Sequence, residues 1–169
     1  MTAGDVLAVV RALEHAGLWF RLDGGWGVDA LAGRETRSHD DLDLVLDRHD
    51  VARAEAALES LGYRHDRTAV PGLPARHVLR SRDGRQVDLH VVLRDAAGDA
   101  WQELGGGAWG RYPAGGLAGR GLVGGIPVPC ITVELQLSHH AGYPPRDVDR
   151  HDVAVLARLS GREVPPPYR

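Results

Sequence analysis

Two aspartates, Asp41 and Asp43, stand two residues apart in the segment DLDLVLD, and a third, Asp88, stands between apolar neighbours in VDL at 87–89. Alternate residues of an extended chain project to the same side, about 6–7 Å apart, so the pair brings two like charges to one spot. Holding them there costs free energy unless something positive sits between them, and a divalent cation is the natural filler. Magnesium suits an oxygen-only donor set, since it keeps several waters and is completed by substrate phosphates rather than by a protein cage. With Asp88 joining from a neighbouring strand, three carboxylates would hold two ions about 3.5–4 Å apart and stabilise both the attacking and the leaving oxygen of a phosphoryl or nucleotidyl transfer. A calcium loop does not fit, because its fifth and sixth positions would fall on Val45 and Leu46, where that loop needs a ligand and a glycine. A D-x-D pair also occurs on solvated strands. Asp88, His90, His139 and His140 taken singly read as ordinary polar or core residues, so the order along the chain is what makes a set of them.

Upstream of the aspartates, Gly24 and Gly25 end a short apolar run and precede a helical pattern. A tight turn without side chains, followed at once by a helix start, lets backbone amides approach a phosphate closely. Arg34, Arg37 and His39 lie between this turn and the aspartates and would hold the remaining phosphate charge.

The elements that must position these groups follow from periodicity. Val6, Val9, Val10 and Leu13 recur at helical spacing over 5–16, with Gly17 as the stop. LWFRL at 18–22 reads as a buried strand, Trp26–Leu31 as a short helix closed by Gly33, and 41–47 as a second strand with its leucines on one face and Asp41 and Asp43 on the other. Asp50 is placed to cap a helix whose Val51, Ala54, Leu58 and Leu61 face the sheet, with Gly62 as the stop. Residues 76–93 form a hairpin around Asp83 and Gly84, with Gln86, Asp88 and His90 sharing one face of its second arm. The stretch 98–125 holds half of the 22 glycines together with Trp101, Trp109 and Tyr112, and is expected to be an ordered, irregular loop that touches the ligand or a partner subunit. GLVGGIPVPC then gives a second hairpin, Thr132 caps a helix over 133–141, and 146–160 carries Val148, Val155 and Leu159 on one stripe.

A chain of 169 residues, 43% hydrophobic, has enough apolar content for one core, with residues 1–125 as a core unit and 126–169 packed on it as a hairpin and helical segment. No apolar run reaches the length of a membrane span, the N-terminus has no signal-peptide pattern, and the lone Cys130 forms no disulfide within the chain; a soluble cytoplasmic protein is expected. No histidine or cysteine spacing matches a zinc motif. A net charge of −3 gives no basic footprint for general nucleic-acid binding, and a small or cationic substrate fits better.

The order strand, glycine pair, helix, DLDL, then VDL resembles the nucleotidyltransferase fold of the polymerase-beta type, hG[GS] followed by Dh[DE]h and h[DE]h. LDGGWGVDALAGRETRSHDDLDL is similar to its antibiotic-modifying branch, and VPCITVELQLSHHAGYPPRDVDRHDV at 128–153 is similar to the C-terminal segment of the small lincosamide nucleotidyltransferases. The likeness is weakest over 95–125. It implies an α+β fold, a short mixed β-sheet flanked by helices with a C-terminal helical part. It implies transfer of a nucleoside monophosphate, AMP from ATP foremost, to a hydroxyl of a lincosamide-like or aminoglycoside-like antibiotic, with two magnesium ions as cofactor, an NTP as co-substrate and a possible homodimer. On this reading Asp41 and Asp43 hold the metal, Asp88 shares a metal and takes the acceptor's proton, and Gly24, Gly25, Arg37 and His39 position the nucleotide. Trp26, Arg76, His140 and Tyr143 line the acceptor pocket. Two rival readings are an enzyme of the same fold acting on RNA or protein, as a toxin does, and a non-catalytic nucleotide-binding module.

Overall fold

The expected first helix is present as α1 (Ala3–His15), its four apolar stripe residues buried, Thr2 and Asp5 forming a capping box at its start, and Gly17 in the left-handed region just past its end. The computed structural model describes residues 1–66, 75–141 and 143–169; Gly142, inside the SHHAGY segment, lies outside the described residues. β1 (Phe20–Asp23) runs directly into α2 (Gly24–Ala32), so Gly24 and Gly25 are the first residues of a helix and not a separate turn. Asp23 supplies the cap by accepting the Gly24 N–H at 2.7 Å, and Gly33 ends α2 in the left-handed conformation.

β2 (Asp41–Asp47) pairs antiparallel with β1, and in parallel with β5 (Gln86–Arg94). The chain enters α3 (Val51–Glu59) through a 3-10 turn at Arg48–Asp50 whose cap is Asp47, accepting from the His49 N–H at 3.0 Å. That turn leaves Asp50 with no capping bond to α3; its carboxylate holds Arg53 instead, 2.7 Å away. Ala54 and Leu58 face the sheet as expected, whereas Leu61, beyond the end of α3, is exposed.

β3 (Arg64–His65) and β4 (Arg76–Arg80) extend the sheet past β5, and the Asp83–Gly84 turn closes the β4–β5 hairpin as the sequence indicates. The glycine-rich stretch departs from expectation. It forms a hairpin of β6 (Ala100–Gly105) and β7 (Ala108–Tyr112), a 3-10 turn at Ala114–Leu117, and β8 (Gly119–Val123), which pairs with β9 (Ile126–Cys130). Glycine lowers strand propensity, but Ala100, Gln102, Tyr112 and Leu117 find buried places, and that packing outweighs the local cost.

The sheet is mixed, ordered β3-β4-β5-β2-β1-β9-β8, with the β6–β7 hairpin branching from the end of β5. Leu22, Leu42, Leu44, Leu46, Leu79, Val87 and Leu89 form one core with α1 and α3, while Val45, Val92, Tyr112 and Leu117 form a second on the other face, closed by α4 (Val133–His139). Thr132 caps α4 as expected. In α5 (Asp147–Ser160) the buried stripe is Asp149, Asp152, Val153 and Leu156, not the one expected: Val148 and Leu159 are exposed and only Val155 is buried. The inward face of α5 carries two aspartates, so an apolar-only pattern misplaces it.

Candidate active site

The strand register aligns three carboxylates across the sheet. Asp23 of β1 pairs with Asp43 of β2, and Asp43 pairs with Asp88 of β5. Directly paired residues point to the same face, so Asp23, Asp43 and Asp88 form a row, with Asp41 two residues along β2 on that side. Asp43 accepts from His90 Nε2 at 3.0 Å, and a carboxylate partner fixes that nitrogen as the protonated one. His90 is held above its ordinary pKa: burial lowers it, but Asp43, then Asp23 and Asp88, outweigh the loss of solvent. Behind it, Gln102 donates to the Ala75 carbonyl at 3.3 Å and accepts from the Tyr112 hydroxyl at 3.0 Å.

Asp88 is fully buried. Arg76 closes over one of its oxygens and Gln86 donates to the other at 2.7 Å. The three predicted carboxylates, Asp41, Asp43 and Asp88, therefore share a face, with Asp88 held by Arg76. Asp41 bears the electrostatic cost. Its carboxyl is pushed above the usual range, first by burial and then by the charges of Asp43, Asp88 and Asp40, with Arg76 opposing. An oxygen-only donor set under this repulsion fits a hard divalent cation such as magnesium.

Asp23 was not expected in the site. It is buried, and although burial alone would raise its pKa, a hydrogen bond and charge from His139, the charge of His90 and the Gly24 N–H together leave it lowered. His139 Nδ1 stands 3.4 Å from it, with its ring edge-on to Tyr112.

The two glycines make room for side chains. A Cβ on Gly24 would lie 2.1 Å from Asp43 Oδ2, and one on Gly25 would lie 2.4 Å from Arg37 Nη2 and 2.6 Å from His39 Nδ1. Gly24 also has φ +55°. The glycine pair thus lets Asp43 and Arg37 press against the start of α2, and Gln136 donates to the Gly24 carbonyl at 3.2 Å. Arg37 in turn grips Asp152 of α5 through two bonds of 2.8 and 2.7 Å.

These groups line an open cleft of about 870 Å³ walled by β2, the β6–β7 hairpin, α4 and the start of α5. Gly24, Gly25, Arg37, Asp41, Asp43, Arg76, His90, His139, His140 and Tyr143 all reach it. Trp26 does not: it is 2% exposed in the main core, so it cannot line an acceptor pocket. His39 is likewise buried, its ring tilted at 37° against Trp26 and bonded to Asp29 at 2.6 Å, and it lies against Gly25 behind the cleft instead of lining it. Arg34 is exposed outside the cleft. His140 is held by the Gln136 carbonyl at 2.8 Å, which must accept from Nδ1–H. Tyr143 bonds Asp149 at 3.3 Å, and its hydroxyl is pushed up to about 12 by burial and the Asp149 charge.

Comparison with known proteins follows the same lines. Residues 5–156 match the family model for aminoglycoside-2''-adenylyltransferase. A lincosamide resistance protein of Staphylococcus haemolyticus is 28% identical over 167 residues, covering 95% of this chain and 97% of that protein. The crystal structure of the lincosamide antibiotic adenylyltransferase LnuA, lincomycin-bound, superposes with a TM-score of 0.82 at 27% identity, covering 94% of this chain and 98% of that one. The solution structure of the antibiotic-resistance factor ANT(2'')-Ia shares the fold, with a TM-score of 0.73 at 20% identity over 94% of this chain and 84% of that one.

Proposed function

This chain belongs to the aminoglycoside-2''-adenylyltransferase family and is a nucleotidyltransferase, and from that premise we propose that it transfers AMP from ATP to a hydroxyl of a lincosamide-like antibiotic in the cytoplasm. The observation that carries the chemistry is the Asp23–Asp43–Asp88 row with Asp41 beside it: Asp23, Asp41 and Asp43 line a cleft that begins at the glycine start of α2, and Asp88 lies buried beneath Arg76 at its edge.

Asp41 and Asp43 would hold magnesium, and Arg37 the triphosphate, at the first turn of α2. Magnesium, when bound, neutralises charge on the phosphates and on the leaving pyrophosphate. Asp88 takes the proton from the acceptor hydroxyl as that oxygen bonds to the α-phosphorus and the bond to the β-phosphate oxygen breaks. For this Arg76 has to release Asp88, and the incoming triphosphate is the stronger counter-charge for its guanidinium. His90 keeps Asp43 aimed into the cleft throughout.

Charge balance supports a lincosamide over an aminoglycoside. Before nucleotide binds, each of the four arginines lining the cleft is matched to a carboxylate: Arg37 to Asp152, Arg76 to Asp88, Arg111 to Asp99 and Arg146 to Asp149, and of these carboxylates Asp88, Asp149 and Asp152 are buried. Asp23 faces His139 and Asp43 faces His90. Once Asp41 and Asp43 are taken by metal, Asp40 is the exposed carboxylate left among the described cleft residues, a match for an acceptor with one amine rather than several. The near full-length likeness to a lincosamide resistance protein points the same way.

The test is incubation of the purified protein with magnesium, labelled NTPs and a panel of lincosamides and aminoglycosides, read by mass spectrometry of the drug. A lincosamide should gain one AMP, and both EDTA and Asp43→Asn should abolish the product. Retained transfer by Asp43→Asn would refute the metal assignment, and a product found only on aminoglycosides would refute the acceptor.

A further inference from the structure

On the face of the sheet opposite the aspartate row, three metal-binding side chains from three different elements meet. Glu55 of α3, His65 of β3 and His77 of β4 each offer a ligand atom, all within 4.8 Å of one another; among the described residues they are the group of this kind that the fold assembles. His65 pairs with Leu79, and His77 lies two residues from Leu79 on the same face, the face that α3 covers. The imidazole rings stack with centroids 5.3 Å apart and 20° between planes. Glu55 reaches down from the helix to within 2.9 Å of His77 Nδ1.

We propose that Glu55, His65 and His77 form a binding site for a divalent transition-metal ion of the zinc class, independent of the nucleotidyl-transfer site. Two imidazoles and one carboxylate are a borderline donor set that prefers zinc, nickel or copper to magnesium or calcium. With metal–ligand bonds of about 2.0–2.1 Å, a tetrahedral site has ligand atoms about 3.4 Å apart, so atoms within 4.8 Å of one another need to close by no more than about 1.4 Å, and His77 and Glu55, at 2.9 Å, to part by about 0.5 Å as the ion replaces the proton between them. His65 is exposed at the sheet edge with its ring on that of His77. Three protein ligands leave a fourth position to water. The site has a structural consequence: β3 is a two-residue edge strand, and an ion joining it to β4 and α3 ties that edge to the body of the fold. Arg76, the next residue to His77, points to the opposite face and meets Asp88, so the two sites share a strand without sharing a ligand.

The test uses untagged full-length protein freed of metal by chelation, with no magnesium or nucleotide, titrated with Co2+ alone and then with Zn2+ as competitor. One equivalent of Co2+ should bind, with visible absorption of a low-coordinate nitrogen and oxygen site that Zn2+ erases. His65→Gln and His77→Gln should each weaken binding about tenfold or more, while Asp43→Asn should leave it unchanged. Zinc at 100 times its dissociation constant should raise the melting midpoint by roughly 5–10 °C. His65 is exposed on the edge, so His65→Gln stays informative if His77→Gln folds poorly. Binding that survives His65→Gln, binding lost in Asp43→Asn, or no binding to the wild type would each overturn the site.

Discussion

Gly24→Ala tests whether the glycine at the start of α2 exists for the aspartate facing it. The added Cβ would stand 2.1 Å from Asp43 Oδ2, where an ordinary contact begins near 3.4 Å, so the carboxylate must retreat by about 1.3 Å. A misplacement near 1 Å at a reacting centre costs on the order of 100-fold in rate. The left-handed backbone at φ +55° adds about 1–2 kcal/mol of strain for alanine, or roughly 2–8 °C in melting temperature for a chain of this size. Gly124, in the β8–β9 turn, has the same φ of +55°, but its Cβ would meet Leu7 Cδ1 at 3.4 Å and Ala3 Cβ at 3.9 Å, both ordinary contacts. Gly124→Ala is therefore the matched control, with the same backbone strain and no displaced carboxylate. Both variants should lose comparable stability by thermal unfolding. In a magnesium-dependent pyrophosphate-release assay with ATP and the accepted drug, corrected for folded fraction, only Gly24→Ala should fall by about 100-fold. If Gly24→Ala stays within a few-fold of wild type, or Gly124→Ala falls as far, the reasoning fails.

The Arg37–Asp152 pair fastens the segment after α2 to α5, and Asp152 is 3% exposed. Arg37→Met leaves that carboxylate buried without its partner and should cost about 3–5 kcal/mol in denaturant unfolding, whereas Arg37→Met with Asp152→Leu should recover much of the loss; equal stability of the single variant and wild type would contradict the pairing. Asp149, which accepts from the Arg146 side chain and N–H, has its carboxyl lowered to about 2. A depressed folded-state pKa contributes stability above the ordinary value near 3.8, lost as pH falls towards 2. The stability gap between wild type and Asp149→Asn should therefore narrow between about pH 4 and pH 2 in acid unfolding monitored by circular dichroism, and a gap that is flat across this window would refute the pairing's contribution.

Where the chemistry was legible in the sequence, it was carried by local alternation. DLDLVLD divides its leucines, and QVDLH its valine and leucine, from their carboxylates by the two-residue period of a strand, and that alone puts Asp41, Asp43 and Asp88 on the face opposite the main core, the face that Val45 shares. The same period applied to Phe20–Asp23 puts Arg21 and Asp23 on the side away from Phe20 and Leu22, so the alternation that marks Asp41 and Asp43 also marks Asp23. What those glycines accommodate, the Asp43 carboxylate and the Arg37 guanidinium, comes from residues more than ten positions away, and no local pattern encodes such contact. Composition misled in the β6–β7 hairpin, where glycines suggested irregular chain but Gln102 and Tyr112 earn strand geometry through buried bonds behind His90. Trp26 was misplaced because a large aromatic beside a glycine turn suits a ligand stack as well as a core, and only the packing of α2 decides between them.

The inward stripe of α5 shows why the polar half of the site resists sequence reading. Asp149 and Asp152 occupy positions that a hydrophobic periodicity assigns to solvent, yet both are almost wholly buried because each meets an arginine, one three residues upstream and one 115 residues away. A carboxylate gripped by a guanidinium sheds its solvation requirement, so in sequence it is indistinguishable from a surface charge while in structure it behaves as a wall. Arg146 caps α5 and meets Asp149 within that same helix, whereas Arg37 reaches from the segment after α2, so the Arg37–Asp152 pair exists only once α5 has docked across the cleft. The Arg37–Asp152 pair thus ties the segment after α2 to α5 across the cleft. Cutting that pair should shift the position of α5 against Gly25 and raise KM for both substrates in steady-state kinetics, while leaving Asp41, Asp43 and Asp88 on their strands.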